Sequence, residues 1–210
     1  MKKLILLLFI PFVSFGQTPL TDANFYQAIE TCLLFNPVDG MCSDSEYGAM
    51  PNWDVSQVTN MEAAFGGRDY FNADISAWDV SNVTDMYLMF GQAPSFNADL
   101  SAWDVSSVTN MNRMFFKAFS FNQPIGNWDV SNVIEMNTMF YQATDFNQDI
   151  STKEVVTNGL TYTAWDVSNI SDMSFIFDGA TSFNQDIGNW NVSNVNYMEQ
   201  MFQNTPFNQN

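Results

Sequence analysis

The sequence predicts an α/β repeat fold in which coils of 25 residues stack, short strands forming one narrow parallel sheet and short helical turns lining the opposite face. Three observations lead there. Tryptophan recurs at Trp53, Trp78, Trp103, Trp128, Trp165 and Trp190, and every gap but one is 25 residues; a fixed period of this size marks a stacked repeat architecture. Each Trp-Asp-Val-Ser segment leads into Met-x-x-Met-Phe, as in Met86, Met89 and Phe90 or Met111, Met114 and Phe115. That i, i+3, i+4 spacing predicts a short helical stripe, with Asn82 and Asp85 as its cap and first-turn acid. Finally, Phe-Asn-Gln-Asp-Ile at 146–150 and 183–187 alternates apolar and polar residues, which predicts a short strand.

The chain divides into three parts. Residues 1–16 read as a secretory signal peptide: Lys2 and Lys3, an apolar run from Leu4 to Phe15, and small residues before a cut ahead of Gln17. With no cysteine at the cut, a lipid-anchored form is not expected. Residues 17–52 read as an N-terminal cap with a helix from about Asp22 to Phe35, Thr21 and Asp22 as candidate caps, and Phe25, Ala28, Ile29, Cys32 and Leu33 as its apolar stripe. Cys32 and Cys42 are a local, even pair, which in an exported protein reads as a disulfide worth roughly 2–3 kcal/mol by loop closure. A metal or redox pair is the alternative, but the spacing is not C-x-x-C and the chain has no histidine. Residues 53–210 carry the repeats, ending at Asn210 inside a strand motif. This ending is expected to leave the last coil uncovered, as in a piece of a longer protein or an end that frays or pairs.

Composition excludes several functions. The net charge is −17 and becomes −19 without Lys2 and Lys3, which argues against nucleic acid. Aromatic residues make up 16% of the chain, too many for an acidic disordered polymer, so a packed core is expected. The absence of histidine removes the commonest general base and metal ligand, which argues against an enzyme without excluding carboxylate chemistry. No segment beyond the leader reaches 18 apolar residues, so no membrane span is expected.

The candidate sites follow from where the repeat is broken and where it is strict. The gap from Trp128 to Trp165 is 37 residues, and the extra segment, 152–163, flanks Asn158-Gly159 with β-prone runs. That dipeptide predicts a hairpin arm, with Lys153, Asn158, Gly159 and Tyr162 as candidate partner-binding residues. The plainer reading is a tolerated surface insertion. Among the strict columns, Asp54, Asp79, Asp104, Asp129 and Asp166 form one acidic row and Asp74, Asp99, Asp149 and Asp186 another. Calcium would relieve their repulsion, but Pro124 and Asn191 interrupt the rows, which favours carboxylates that accept backbone N–H groups in turns. The asparagine column from Asn72 to Asn208 reads as a ladder between coils rather than a ligand row. Trp and Phe columns read as core. Tyr70, Tyr87, Phe116, Phe119 and Tyr141 stand outside the regular columns and are the aromatics expected to be exposed for binding.

The segment NWDVSNVIEMNTMFYQATDFNQDI (127–150) resembles the repeat of the BspA-like leucine-rich-repeat surface proteins of bacteria, a resemblance that extends from Trp53 to the C-terminus. It implies a right-handed solenoid of leucine-rich-repeat type with the Phe-Asn-Gln-Asp-Ile strands on one face and the Met-Phe turns on the other. It also implies surface display, adhesion and protein–protein interaction, and brings no catalytic motif or cofactor. The expected function is a secreted or surface-displayed, adhesin-like binding solenoid whose partner is a protein or cell-surface ligand. A structural spacer, or a fragment of a longer surface protein, is the alternative, with calcium stabilisation compatible with either; a carboxylate glycosidase ranks third.

Overall fold

A computed structural model of the chain describes residues 18–157 and 159–209. The expected signal peptide, residues 1–16, lies outside the described residues, as does Asn158. The regular elements are helix α1 (Phe25–Phe35), a 3₁₀ turn (Met50–Asn52), and strands β1 (Lys153–Thr157) and β2 (Leu160–Ala164). The remainder of the described chain is turns and bends.

The expected fold class is therefore corrected. Among the described residues the only sheet is the antiparallel pair β1–β2. No strand forms at 146–150 or 183–187, and no helix forms in the Met-x-x-Met-Phe segments. Among the described residues there is no narrow parallel sheet and no leucine-rich-repeat-type solenoid; parallel pairing there is limited to isolated bridges such as Asn60↔Asp85, Asp85↔Asn110 and Asn110↔Glu135.

Backbone hydrogen bonding explains the missing helices. The Met89 N–H donates to the Met86 carbonyl at 3.2 Å, closing a four-residue turn. Leu88 sits in that turn at φ 53°, the left-handed position of a type II turn. Ala63, Arg113, Thr138, Phe175 and Gln200 hold the same position in the other repeats, at φ between 51° and 60°. The intervening N–H groups leave the segment: Met86 donates to Asn110, Leu88 to Asn112 and Phe90 to Met114, at 2.9–3.0 Å. A helix needs each of these donors for its own i→i−4 bonds, and a segment of about two turns gains too few such bonds to offset nucleation. Chained turns still bury Met86, Met89 and Phe90 completely, so the apolar spacing reflects the core and not a helix.

Asparagine explains the missing strands. In a parallel ladder the N–H of Asn122 would donate to a neighbouring main-chain carbonyl; here it donates to the side-chain Oδ1 of Asn97 at 2.9 Å. Asn97 donates likewise to Asn72, Asn147 to Asn122, and Asn184 to Asn147, at 2.8–3.0 Å. Two residues later the Asp99 and Asp149 carboxylates accept the N–H of Ser101 and Ser151, bending the chain before a strand can extend.

Between successive repeats lies one continuous apolar core. Phe65, Phe90, Phe115, Phe140 and Phe177 form a row with ring centroids 5.6–5.7 Å apart. A second row, Phe71 to Phe183, stacks at 5.8–6.1 Å, and each repeat joins the rows by a close pair such as Phe90–Phe96 at 3.8 Å. The tryptophans add direction: the indole N–H of Trp103 donates to the Ile75 carbonyl at 3.0 Å and that of Trp128 to Leu100 at 3.1 Å.

Helix α1 covers the first repeat with Phe25, Ala28, Ile29, Cys32 and Leu33, all buried. Its N-cap is Asn24 rather than Thr21 or Asp22. Asp22 serves docking instead, accepting hydrogen bonds from the Thr59 N–H at 2.8 Å and the Thr59 hydroxyl at 2.7 Å. Slight burial acts to raise the Asp22 pKa, but the bonds from Thr59 and Asn60 outweigh it and lower the value. Glu30 pairs with Arg68, and Phe25 meets Trp78 edge-on at 6.0 Å. Cys32 and Cys42 are joined by a disulfide, Cα to Cα 5.2 Å, tying the end of α1 to the loop that leads to the 3₁₀ turn. No helix among the described residues is long and apolar enough to cross a membrane.

Candidate functional site

The hairpin is built where the repeat gains its extra residues. β1 and β2 pair antiparallel with Lys153 opposite Ala164, Val155 opposite Tyr162, and Thr157 opposite Leu160. Gly159 supplies φ +80° at the turn, in open space. Period-2 alternation turns Val155 and Tyr162 toward the repeats, where both pack against the core, while Glu154 and Thr163 face outward.

The arm folds back along the repeats. The Tyr162 hydroxyl donates to the Asn127 carbonyl at 2.7 Å, anchoring β2 to a repeat 35 residues upstream. Burial, and then the charges of Asp129 and Asp104, push the Tyr162 phenol above its ordinary pKa, so it remains a donor at neutral pH. A cleft of ≈ 710 Å³ opens between hairpin and repeats, with Val155, Leu160 and Tyr162 on one wall and Trp103, Asp104 and Asp129 on the other. At its rim Val156 and Leu160 are 66% and 70% exposed, large apolar side chains offered to solvent near the hairpin tip.

The four candidate residues thus separate. Tyr162 lines the cleft. Lys153 lies at the hairpin root, its Nζ 3.4 Å from Asp149 Oδ2. Hydrogen bonds from Ser151 lower the Asp149 pKa, and Lys153 adds to that effect against a burial penalty. Gly159 shapes the tip, and Asn158 is outside the described residues. Val155, Val156, Leu160 and Ser101 were not singled out by the sequence, and Asp104 stood out only as a member of an acidic row. Alternation across the Asn158-Gly159 turn marks Val155 as the partner of Tyr162, but nothing local indicates the opposite wall.

The strict columns do structural tasks. Asp54, Asp79, Asp104, Asp129 and Asp166 each accept the N–H two residues on, at 3.0–3.1 Å. Asp74, Asp99, Asp149 and Asp186 do the same at 2.8–3.1 Å. No group of three or more Asp, Glu, Cys or His side chains is placed to hold a metal ion among the described residues. Of the irregular aromatics, Tyr70 and Phe119 are exposed, whereas Tyr87, Phe116 and Tyr141 are half-buried.

A family model described as "Mycoplasma protein of unknown function, DUF285" matches residues 38–153 and 158–210. Comparison with curated proteins gave no match, and comparison with solved structures gave none either. The matched segments span all six tryptophans and strand β2, well over half of the sequence, while most of β1 falls between them; the chain belongs to the DUF285 family.

Proposed function

We propose that the protein is a secreted or surface-displayed binding module, adhesin-like and without catalysis, that engages a protein or cell-surface ligand through the hairpin cleft. The cleft carries this reading: a hairpin absent from every other repeat is anchored by Tyr162 to Asn127, yet leaves Val156 and Leu160 exposed above an open, partly apolar wall. Exposed large apolar side chains on an anchored arm are what a binding surface needs, because anchoring reduces the ordering cost of the contact area they give. Export is supported by Lys2, Lys3 and the Leu4–Phe15 run, and by cysteines paired as disulfides are in oxidising compartments. The lack of histidine supports a role other than catalysis.

The test is capture of the wild-type chain on an array of immobilised extracellular-matrix proteins and cell-surface glycans, against a Val156→Asp/Leu160→Asp variant. Both positions are exposed, so the fold should persist. Binding that the variant loses supports the reading; wild-type binding retained in full by the variant, or no binding across the array, overturns it.

A further inference from the structure

Apart from Lys2 and Lys3, the chain has four cations: Arg68, Arg113, Lys117 and Lys153. Two are spent on carboxylates, Arg68 on Glu30 and Lys153 on Asp149. Arg113 and Lys117 take part in neither ion pair among the described residues. In a molecule with 23 acidic residues, two cations without acid partners are an exception, and these two share one ring. The Arg113 guanidinium carbon lies 5.9 Å and the Lys117 Nζ 5.2 Å from the centre of Phe116.

The ring is itself held. Phe116 stacks on Tyr141 of the next repeat at 5.0 Å and 13°. Arg113 Nη1 donates to the Tyr87 hydroxyl of the preceding repeat at 3.2 Å, and Gln142 Nε2 donates to the Tyr141 hydroxyl at 3.3 Å. Three repeats thus converge on one patch in which Arg113 is held by the Tyr87 hydroxyl and both cations stand beside the Phe116 ring, while the Asp85 carboxylate at its edge accepts the Tyr87 N–H at 2.8 Å. The equivalent positions to Phe116 in the two preceding repeats are Gly66 and Gly91, so the aromatic pair rises only here.

We propose that the patch of Tyr87, Arg113, Phe116, Lys117 and Tyr141 docks a net-basic protein partner, with one carboxylate of that partner held between Arg113 and Lys117. An aromatic and arginine centre is the composition of an interface centre, where tyrosine and arginine dominate binding. The two cations repel each other over the ring, and a carboxylate between them turns that repulsion into two charge-assisted contacts. The net charge of −17 selects the rest of the partner: it draws a basic surface in and repels a polyanion such as a sulfated polysaccharide. This proposal rests on the reading of the protein as a binding module and adds a second surface that shares no residue with the hairpin cleft.

The experiment titrates the full chain at low salt with two synthetic lysine-rich peptides, identical except for a central glutamate or glutamine. Wild type should bind the glutamate peptide about three- to tenfold more tightly, the scale of an exposed carboxylate meeting two pre-positioned cations. The Arg113→Gln/Lys117→Gln variant should bind both peptides equally, through its remaining acidic surface. Single Arg113→Gln and Lys117→Gln variants, each checked for an unchanged melting temperature, should fall between. Equal affinity of the two peptides for wild type, or a glutamate preference that survives in the double variant, overturns the proposal. So does binding of dextran sulfate that wild type shows and the double variant loses, since the site would then take a polyanion. Failure here with capture through Val156 and Leu160 intact removes this surface only, leaving the hairpin reading in place.

Discussion

The indole N–H of Trp128 donates to the carbonyl of Leu100 at 3.1 Å, and both groups are buried in the contact between two repeats. The same bond recurs from Trp78 to Met50, Trp103 to Ile75, Trp165 to Ile125 and Trp190 to Ile150, at 2.9–3.0 Å. Replacing Trp128 by Phe removes the donor, leaves the Leu100 carbonyl with only the Trp103 N–H at 3.2 Å, and opens a void. Trp128→Phe should lower unfolding stability by ~2–4 kcal/mol. Urea denaturation measures this, and a loss below ~0.5 kcal/mol would show that water replaces the bond without cost.

The asparagine ladder predicts a contrast between two substitutions at one position. Asn122 Oδ1 accepts the Asn147 N–H at 3.0 Å and the Gln148 amide at 2.8 Å. Asn122→Ala deletes the acceptor for both and should cost ~1–3 kcal/mol. Asn122→Asp keeps an oxygen in place for both bonds and should retain most of the stability. Equal losses in thermal melts of the two variants would mean the amide side chain is held for another purpose.

Left-handed positions occupied by residues other than glycine offer stabilisation. Gln92 sits at φ 58° in a column where Gly67 and Gly179 adopt φ 70° and 74°. Gln92→Gly should raise stability by ~0.5–1 kcal/mol by relieving the left-handed penalty. Gly126 is the opposite case, because a methyl group there would collide with the Asp149 carbonyl oxygen. Gly126→Ala should therefore lower the melting temperature even though alanine favours most backbone conformations.

The cap should detach at alkaline pH through Tyr26. Its hydroxyl donates to the Glu62 carbonyl at 2.8 Å, joining α1 to the first repeat. Burial first, then the charges of Glu62, Asp85 and Asp22, push its pKa from 10.0 to about 12. The folded state thus holds this proton more tightly than the unfolded chain. Its contribution is complete below pH 10 and disappears as pH rises from 10 through 12. Measured as the difference between wild type and Tyr26→Phe, the stability gap should close across that window. A gap that stays constant would place the ionisation elsewhere.

Which residues are buried was more legible in the sequence than which elements they form. Met86, Met89 and Phe90 recur at helical spacing and are buried, but spacing records only where side chains point. It does not reveal that alternate N–H groups cross to Asn110, Asn112 and Met114, nor that Leu88 adopts a left-handed conformation without being glycine. Phe146 to Ile150 alternates as a strand would, yet the Asn122 side chain takes the place of the neighbouring carbonyl. The Asn158-Gly159 dipeptide marks the hairpin because turn chemistry is local. Its cleft was hidden because the Tyr162 anchor, Asn127, lies 35 residues away. The patch at Phe116 was legible in part: Tyr87, Phe116 and Tyr141 stand outside the regular columns, but that Tyr87 and Tyr141 meet the segment of Arg113 and Lys117 depends on contacts across repeats.

Trp165 reaches Ile125 across a sequence separation of 40, where Trp128 reaches Leu100 across 28, and the bond is 2.9 Å in one case and 3.1 Å in the other. Asn184 likewise finds Asn147 at a separation of 37, against 25 for Asn122 and Asn97, with the same 2.9 Å contact. Alignment between neighbours is thus kept by groups that reach across, independent of how much chain runs between them. The corner between the isoleucine and tryptophan columns behaves as an open socket: a peptide excursion plugs in there and the tryptophan and asparagine bonds on either side close as before. A protein built this way can acquire, exchange or lose a recognition arm at one corner while its interior goes on unchanged.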